Sequence, residues 1–318
     1  MLERVRHRPH AVILLGCVVC IAWLAGENAV AAEPVPVPGT RVSIPLPDGF
    51  TLASRFAGIA DPSRGASVQV VELPAPVADM REDMNREALG ARGLQVRTRD
   101  EVQAGIDNAL LLDVVQPGEA GDDRLLILVA GSDQATVLLT ARAPVPVEEA
   151  LIEQLRKALL GSLWDPTRDV DAMASLAFTL DPAGGLQVAQ TMMGSSVLLT
   201  LGGRQSRMEA GEPFMIVGQS VADDAVQDLG DYAEQRLLRT DGIDQVMVST
   251  RESLTIDGRA AVELLATAVG ENELKSTVYQ LLIADVGGYV LAQGHVATAG
   301  SDEWLPVFER IGRGIGLR

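Results

Sequence analysis

Hydrophobic and polar positions follow one another in the same order twice along the chain. In each half, a strand-like apolar run, at 66–73 and at 213–220, precedes a stretch with helical spacing. The apolar residues of these stretches recur at three- and four-residue steps: Val77, Met80, Met84 and Ala88 in the first half, and Val226, Leu229, Ala233 and Leu237 in the second. Each half is therefore predicted to contain a strand followed by an amphipathic helix.

Local signals mark the ends of these two helices. Asp223 and Asp224 suit the N-terminal cap of the second helix, because a carboxylate accepts hydrogen bonds from the free amide groups there. Gly93 and Gly242 stand where the first and second helices are expected to stop, since glycine adopts the left-handed conformation that closes many helices.

Four more strand-like runs and a closing helix complete each half. The runs lie at 98–104, 108–116, 124–130 and 135–142 in the first half, and at 250–256, 260–268, 275–284 and 288–297 in the second. Turn signals at Gly131-Ser132-Asp133 and Gly287-Gly288 predict that the last two runs of each half form an antiparallel hairpin. Helical spacing predicts closing helices at 148–160 and 302–315. Sheets of this kind with inserted and appended helices predict an α+β fold with mainly antiparallel sheets.

The two halves also align residue by residue. Residues 97–112 pair with 249–264 without a gap, so that Arg99 corresponds to Arg251 and Leu112 to Leu264. A repeat this long indicates duplicated domains, because solenoid repeats run to about 20–50 residues. The predicted organisation is listed in chain order: a Pro-rich lead-in at 33–40, a first domain at 41–164, a linker at 165–174 and a second domain at 175–318. The second half carries extra sequence at 191–211, which we interpret as an added hairpin followed by a mobile loop.

The amino-terminal segment has the features of a secretory signal. Three arginines within residues 1–10 precede an uncharged stretch of 15 residues at 11–25, shorter than the roughly 20 residues that span a bilayer as a helix. Small residues then occupy the sites that signal peptidase requires. We predict a signal peptide at 1–32 that is cut after Ala32, with Ala31 as the alternative, so that the mature chain is periplasmic or secreted.

Two other interpretations of this segment stay open. Leu14-Leu15-Gly16-Cys17 loosely resembles a lipobox, in which Cys17 would carry a lipid. Only five apolar residues precede Cys17, and a longer apolar run would remain on the lipidated protein, so we favour cleavage at Ala32. An uncleaved anchor is the other alternative, and the small residues before position 33 argue against it.

Composition excludes several classes of function. The chain has 26 Lys and Arg against 43 Asp and Glu, a formal net charge of −17, and this balance opposes nucleic-acid binding. Aromatic residues make up only 3% of the sequence, which is unfavourable for a base-stacking surface. Beyond residues 1–32, no segment is long and apolar enough to span a membrane.

Few residues suited to catalysis or metal binding remain once the signal is removed. Both cysteines, Cys17 and Cys20, lie within residues 1–32, and His295 is the one histidine outside them. We expect a structural or surface role for His295, and no catalytic, cofactor or metal site is assigned. The acidic groups Glu119/Asp122/Asp123 and Asp165/Asp169/Asp171 lack the spacing of a calcium loop and are expected to be solvated turns.

The order of elements is similar to that of the PsbP/Mog-type superfamily. The resemblance starts from the proline-containing segment Ile44-Pro45-Leu46-Pro47-Asp48-Gly49-Phe50 and continues through a helix, several strands and a closing helix, twice along the chain. It implies two tandem α/β/α sandwich domains, each an antiparallel sheet flanked by helices. It also implies a non-enzymatic role, since known members include photosystem accessory subunits, a Ran-binding factor and bacterial envelope proteins.

We therefore expect a non-catalytic, exported binding or adaptor protein of the cell envelope. Its expected partner is a protein or a small apolar ligand, bound at the junction of the two domains or by the segment 191–211. A carboxylate-based hydrolase and a lipid-tethered structural protein are the alternatives. The enzyme would need at least two convergent acids with shifted pKa values in one cleft.

Overall fold

Each half of the chain folds around one antiparallel sheet. The computed structural model describes residues 33–118, 121–205, 209–221, 226, 228–270 and 273–318. Ala32 and Cys17, on which the predictions about export depend, lie outside these residues. None of the described helices combines the length and apolar composition needed to cross a membrane.

The first half contains ten strands and three helices within the described residues. In chain order these are β1 (Val35–Pro36), β2 (Val42–Ile44), β3 (Thr51–Leu52), β4 (Gly58–Asp61), β5 (Ala66–Leu73), α1 (Val77–Asp83), α2 (Arg86–Ala91), β6 (Gln95–Glu101), β7 (Leu110–Gln116), β8 (Asp123–Gly131), β9 (Thr136–Pro144), α3 (Glu149–Leu160) and β10 (Leu163–Trp164). Seven strands form the main sheet in the order β3-β4-β5-β9-β8-β7-β6, while β1, β2 and β10 form a small separate sheet.

The second half repeats this arrangement. Its described elements are β11 (Phe178–Thr179), β12 (Leu186–Met192), β13 (Ser196–Leu201), β14 (Phe214–Gln219), α4 (Leu229–Leu238), β15 (Asp244–Ile256), β16 (Arg259–Val269), β17 (Lys275–Asp285), β18 (Gly288–Ala297), α5 (Ser301–Arg313) and β19 (Gly316–Leu317). The main sheet has the order β12-β13-β14-β18-β17-β16-β15. It is the order of the first sheet, strand for strand, although the origin of the repeat by duplication stays a prediction.

Helices cover both faces of each sheet, so that each half has a core on either side. In the first half, α3 packs through Leu151, Ile152 and Leu155 on one face, while α1 and α2 cover the other. In the second half, α5 packs through Phe308 and Ile311, and α4 lies on the opposite face. The predicted fold class, α+β with two tandem α/β/α sandwiches, is confirmed. The domain boundaries at 41–164 and 175–318 remain predictions.

Burial explains why the central strands are almost continuously apolar. Strand β8 is buried along nearly its whole length because helices cover it on both faces. Strand β5 instead alternates between buried and partly exposed residues over its first six positions, and it coincides with the predicted run at 66–73. The aligned residues Leu112 and Leu264 lie in equivalent cores, beneath α1 and α2 and beneath α4 respectively.

Two predictions about local structure are corrected. The single helix predicted through Val77 and Ala88 is two helices, because the side chain of Asn85 accepts a hydrogen bond from the backbone amide of Ala88 and starts a new helix. The hairpin predicted as an addition within 191–211 is not extra, since β12 and β13 occupy the positions of β3 and β4 in the other sheet. The strands β12 and β13 are longer than their counterparts β3 and β4, which accounts for the additional sequence.

The second inserted helix begins at a cap other than the predicted one. Asp223 and Asp224 lie outside the described residues, and the side chain of Asp228 accepts a hydrogen bond from the backbone amide of Asp231 at the start of α4. Gly93 and Gly242, predicted to end the inserted helices, both have positive φ angles, 81° and 82°. Both lie just beyond the helices they were predicted to close.

Outer strands of both sheets contain irregular pairing. The register shifts between Val96 and Thr98 in β6 and between Val188 and Gln190 in β12. Strand β15 has two such shifts, one between Asp244 and Met247 and one between Val248 and Thr250. The remaining outer strand, β3, is two residues long.

Candidate functional site

A cleft on the second sheet combines buried polar side chains with an apolar lining. It has a volume of about 390 Å³, and we call it the second-sheet cleft. The lining residues on which the argument depends are Glu209, Phe214, Ile216, Asp241, Gln293 and His295. Phe214 and Ile216 come from β14, Gln293 and His295 from β18, and Asp241 from the loop after α4.

Strand register places these side chains on one face. Phe214 is paired with His295, and Ile216 with Gln293, so that these four residues form a continuous patch on two neighbouring strands. Helix α4 packs against β15, β16 and β17 on the same face. The part of the sheet formed by β14 and β18 therefore carries the cleft.

The imidazole of His295 is buried and stacked in the cleft. Its ring is parallel to that of Phe214, with 4.8 Å between the centroids and 3° between the planes. The residue is only 8% exposed. Burial lowers the pKa of His295 to about 4, because a charged imidazolium would lose its hydration there. The ring is thus neutral near pH 7.

A chain of side-chain amides fixes which nitrogen of His295 carries the proton. Gln280 donates from Nε2 to the backbone carbonyl of Ala233, at 2.7 Å, so its Oε1 is free to accept. Gln293 donates from Nε2 to that Oε1 and to the hydroxyl of Thr240, both at 3.0 Å. Its own Oε1 then accepts from His295 Nε2 at 2.9 Å. Since Nε2 is the donor, Nδ1 of the neutral ring is an acceptor.

This arrangement differs from a catalytic triad. The hydrogen bond of His295 goes to Gln293, and no serine or carboxylate of the described residues bonds to the ring. A hydroxyl does line the cleft at Ser276, but it donates to the backbone carbonyl of Ala268. His295 is therefore placed as a neutral polar group in a largely apolar cavity.

Carboxylates stand at the opening of the cleft. Glu209 and Asp241 are exposed, and no hydrogen bond or ion pair joins either carboxylate to the described residues. Glu212 differs, since Arg204 binds it at 2.7 Å and lowers the pKa of its carboxyl. The rim of the cleft therefore carries exposed carboxylates, and Arg204 interacts with the charge of Glu209 as well as with Glu212.

The segment 191–211 contributes to this rim. Its described part after the hairpin ends with Glu209, Ala210 and Gly211, all of which line the cleft. The backbone carbonyl of Gly211 accepts a hydrogen bond from Ala297 at 3.1 Å, which fixes the rim to the end of β18. Residues 206–208 lie outside the described part of the chain. The segment 191–211 and His295, which are far apart in sequence, therefore line the same cleft.

Side chains join the two halves at the junction, where the sequence analysis expects a groove. Arg55, in the loop between β3 and β4, donates from Nε to the carbonyl of Ser220 at 2.9 Å and from Nη1 to the carbonyl of Val286 at 2.8 Å. The same guanidinium forms an ion pair with Asp285 at 3.2 Å, and both side chains are about nine-tenths buried. Gln219 completes the contact by donating to the carbonyl of Arg55 at 2.6 Å.

Two other cavities have a different character. One, of about 840 Å³, lies against α1 and α2, and its arginines are occupied: Arg99 donates to the carbonyls of Met84 and Arg81. The other, of about 630 Å³, lies on the first sheet beside Arg55 and reaches Val221 of the second half. Among the described residues, neither is lined by an aromatic ring stacked on an imidazole, as Phe214 is on His295.

Two of the acidic residues considered as calcium ligands, Asp123 and Asp165, have local partners. Asp123 pairs with Arg142 at 2.7 Å, and Asp165 accepts hydrogen bonds from the hydroxyl and amide of Thr167, which lower the pKa of its carboxyl. Glu119 lies outside the described residues. In the part of the chain that the structure describes, no group of three or more His, Cys, Asp or Glu is placed to hold a metal ion.

Sequence reasoning noted His295 but missed its surroundings. The pairing of Phe214 with His295 depends on the register of strands far apart in sequence, which no local pattern specifies. A signal was nonetheless present, because Gln280 and Gln293 interrupt otherwise apolar strand runs. Buried side-chain amides require hydrogen-bond partners, and here Gln293 donates to Gln280.

Similarity to known proteins is confined to distant structures. No family model and no curated protein matches the chain. It is similar to LpqN, involved in cell envelope biogenesis of Mycobacterium tuberculosis, at 13% identity over 48% of this chain and 86% of that one, with a TM-score of 0.33. The cyanobacterial PsbP of Synechocystis gives 12% identity over 45% and 82% of the two chains and a TM-score of 0.29.

A third similar structure extends over most of the chain. It is the immunity protein TplEi of the type VI secretion system of Pseudomonas aeruginosa, at 12% identity over 88% of this chain and 95% of that one, with a TM-score of 0.37. Similarity at these levels assigns no function to the chain.

Proposed function

We propose that the protein is an exported, non-catalytic binding protein of the cell envelope, and that the second-sheet cleft is its binding site. The observation that carries this proposal is the amide chain on the cleft floor, which leaves Nδ1 of His295 as an acceptor in a largely apolar cavity. The volume of about 390 Å³ falls within the range of small-molecule sites, about 300–1,000 Å³.

Charge pairing favours this function over the carboxylate-based hydrolase. In the described part of the chain, the most deeply buried carboxylates are Asp61, Asp113 and Glu263. Each is held by an arginine, namely Arg64, Arg124 and Arg313 respectively. A carboxylate committed to an arginine is a poor general acid, because the ion pair stabilises its charged form.

Membership of the PsbP/Mog-type superfamily is part of the proposal. Its support is the order of elements: in each half a helical segment follows the third strand of the main sheet, and a closing helix follows the hairpin. The short strand β2, followed directly by Pro45, pairs with β10 after the closing helix. Bacterial envelope members of that group are the appropriate comparison for an exported chain.

Export is tested by the mass of the protein recovered from cells. The full chain would be produced in a bacterium and the intact mass of the mature form measured. A chain starting at Glu33 in the soluble periplasmic fraction supports the proposal. A membrane-bound form with a lipid on Cys17 would favour tethering, and a cytoplasmic chain that retains residues 1–32 would overturn export.

Binding is tested by a screen of small neutral and charged fragments against isotopically labelled mature protein. Fragments that shift the backbone amide signals of Ile216 and Gln293 support the cleft as the site. The variant Phe214→Ala should weaken these fragments, while Leu52→Ala, on the cavity of the first sheet, should not. Fragments that bind only elsewhere, or none at all, would contradict the proposal.

A further inference from the structure

Gln280 lies behind the second-sheet cleft rather than in it. The residue is fully buried on β17, bonded to the backbone of α4, and it does not line the cavity. A buried amide loses its hydrogen bonds to water, so it destabilises the fold unless the protein replaces them. An apolar side chain would fill this position without that cost. The amide of Gln280 therefore needs a reason other than packing.

The first half shows that the fold does not require an amide at this position. One row of paired residues crosses each main sheet through the strands that follow the inserted helices. The two rows are Leu264, Gln280, Gln293 and Ile216 in the second sheet, and Leu112, Ile127, Thr140 and Gln69 in the first. Because Leu112 corresponds to Leu264, Ile127 occupies the position of Gln280, and it is buried in the core beneath α1 and α2.

Gln280 sets the direction of the hydrogen bonds between α4 and His295. The backbone carbonyl of Ala233 can only accept, so the amide nitrogen of Gln280 must face it, at 2.7 Å. The amide oxygen of Gln280 then faces Gln293 and accepts from its nitrogen at 3.0 Å. This arrangement turns the oxygen of Gln293 toward the ring, where it accepts from Nε2 of His295 at 2.9 Å.

The other partner of Gln293 does not set this direction. The hydroxyl of Thr240 accepts from Gln293 at 3.0 Å, but a hydroxyl can equally donate. Without Gln280, the amide of Gln293 can turn over and accept from Thr240. Its nitrogen would then donate to Nε2 of His295. The ring would carry its proton on Nδ1 and present a donor to the cleft instead of an acceptor.

We propose that Gln280 is a positioning residue of the second-sheet cleft, which sets the hydrogen-bonding role that His295 presents to a bound molecule. This inference rests on the proposed function, since it concerns the same site. Among the described residues, the buried side-chain nitrogen or oxygen that lacks a partner is Nη1 of Arg168. Nδ1 of His295 also has no partner in that part of the chain, so it is accessible from the cleft. Its role as an acceptor is maintained from outside the cavity.

The tautomer of His295 is measured by 15N spectroscopy of the imidazole at pH 7, where the ring is neutral. Ring-nitrogen shifts distinguish the protonated nitrogen from the other, and His295→Gln identifies the signals by their loss. In the unaltered protein the proton should reside on Nε2. In Gln280→Ile, which introduces the residue found at this position in the first half, the ratio of the tautomers should shift about fivefold or more toward Nδ1, since one selecting hydrogen bond is lost.

Thr240→Val is the matched control. It removes the other hydrogen bond made by the amide nitrogen of Gln293 and leaves the bond to Gln280 in place. The proton should stay on Nε2 in this variant. An unchanged tautomer in Gln280→Ile, or an equal shift in both variants, would overturn the proposal. If Gln280→Ile does not fold, Gln280→Met decides, because methionine is unbranched like glutamine but has no amide.

Two probes of the same shape extend the test to binding. Indole donates a hydrogen bond from its nitrogen, whereas benzofuran has an oxygen at that place and cannot donate. Their affinities are compared by titration, followed at the backbone amides of Ile216 and Gln293. The affinity for indole relative to benzofuran should fall about fivefold from the unaltered protein to Gln280→Ile, because part of the protein then presents a donor.

The outcomes separate this inference from the proposed function. A shifted tautomer without binding of either probe supports the positioning of His295 by Gln280, and it counts against the cleft as the binding site. Binding of both probes at a constant affinity ratio supports the cleft as a site and overturns the role of Gln280 in its specificity.

Discussion

At the scale of single residues, His295 shows how a polar side chain is accommodated inside an apolar sheet. The ring is held by Gln293, and the amide chain behind it ends at a backbone carbonyl of α4. Each member of the chain is satisfied by the next, as buried polar groups require. The surroundings of His295 therefore favour the neutral imidazole with its proton on Nε2.

Protonation of His295 should make the protein sensitive to acid. The pKa of His295 is about 4 in the folded state, against 6.5 ordinarily, so that the unfolded chain binds a proton first as the pH falls. Its stabilising contribution is complete above about pH 6.5 and is lost progressively between pH 6.5 and pH 4. The loss amounts to about 3 kcal/mol of unfolding free energy, at about 1.4 kcal/mol for each unit by which the pKa is lowered.

Urea unfolding between pH 7 and pH 4 measures this effect. The variant His295→Gln can still donate to Gln293 but does not titrate, so its unfolding free energy should fall less steeply with acid. Comparing the two proteins cancels the titration of carboxylates that both contain. Parallel pH profiles would show that His295 is protonated as readily in the folded protein as in the unfolded chain.

At the scale of elements, a glycine decides how closely α5 packs on its sheet. A Cβ added at Gly312 would lie 2.6 Å from the hydroxyl oxygen of Tyr279. That tyrosine cannot move aside easily, because it is fully buried and donates to Glu263 at 2.9 Å. Arg313 holds the same carboxylate from the helix, so this contact joins α5 to two strands.

Two matched glycine variants test this packing. Gly312→Ala should lower the unfolding free energy by about 1–3 kcal/mol through overpacking, although alanine is the better helix former. Gly90→Ala, in α2 with nothing within 4 Å of the added Cβ, should raise it by about 0.5–1 kcal/mol. Urea unfolding of both variants provides the measurement. A stabilised Gly312→Ala would mean that α5 has room to shift away from Tyr279.

The elements were predictable where local chemistry determines them. Strand β5 was predicted at its observed bounds, and α3 to within one residue, because each has a regular apolar period and clear flanking signals. The break at Asn85 was missed, since continued helical spacing on both sides of it outweighed its capping preference. The cleft could not be predicted, because it exists only after β14 pairs with β18 and α4 settles on the neighbouring strands.

At the scale of the whole molecule, Arg55 joins the two halves. Its guanidinium contacts two backbone carbonyls and a carboxylate of the second half, all within 3.2 Å. Without Arg55, Asp285 would keep only a contact of 3.9 Å to Arg259. A largely buried carboxylate that loses its partner is costly, because its charge remains desolvated.

The variant Arg55→Ala should therefore loosen the junction. We expect a loss of about 3 kcal/mol in unfolding free energy and separate unfolding of the two halves. Trp164 packs on the core of the first half and Trp304 on that of the second, so single-tryptophan versions follow each half by fluorescence. Arg142→Ala, which breaks an exposed pair, should cost less than about 1 kcal/mol. If Trp164 and Trp304 of Arg55→Ala report a single unfolding transition at the same midpoint as in the unaltered protein, Arg55 does not hold the two halves together.

The irregular outer strands have a consequence for the protein in concentrated solution. An exposed, regular sheet edge can recruit a neighbouring molecule and grow into an aggregate. Among the described residues, β6, β12 and β15 each contain a bulge, and β3 is too short to offer a continuous edge. The described outer strands therefore offer little regular edge on which a second molecule could add a strand, and we expect the folded protein to resist edge-to-edge aggregation at high concentration.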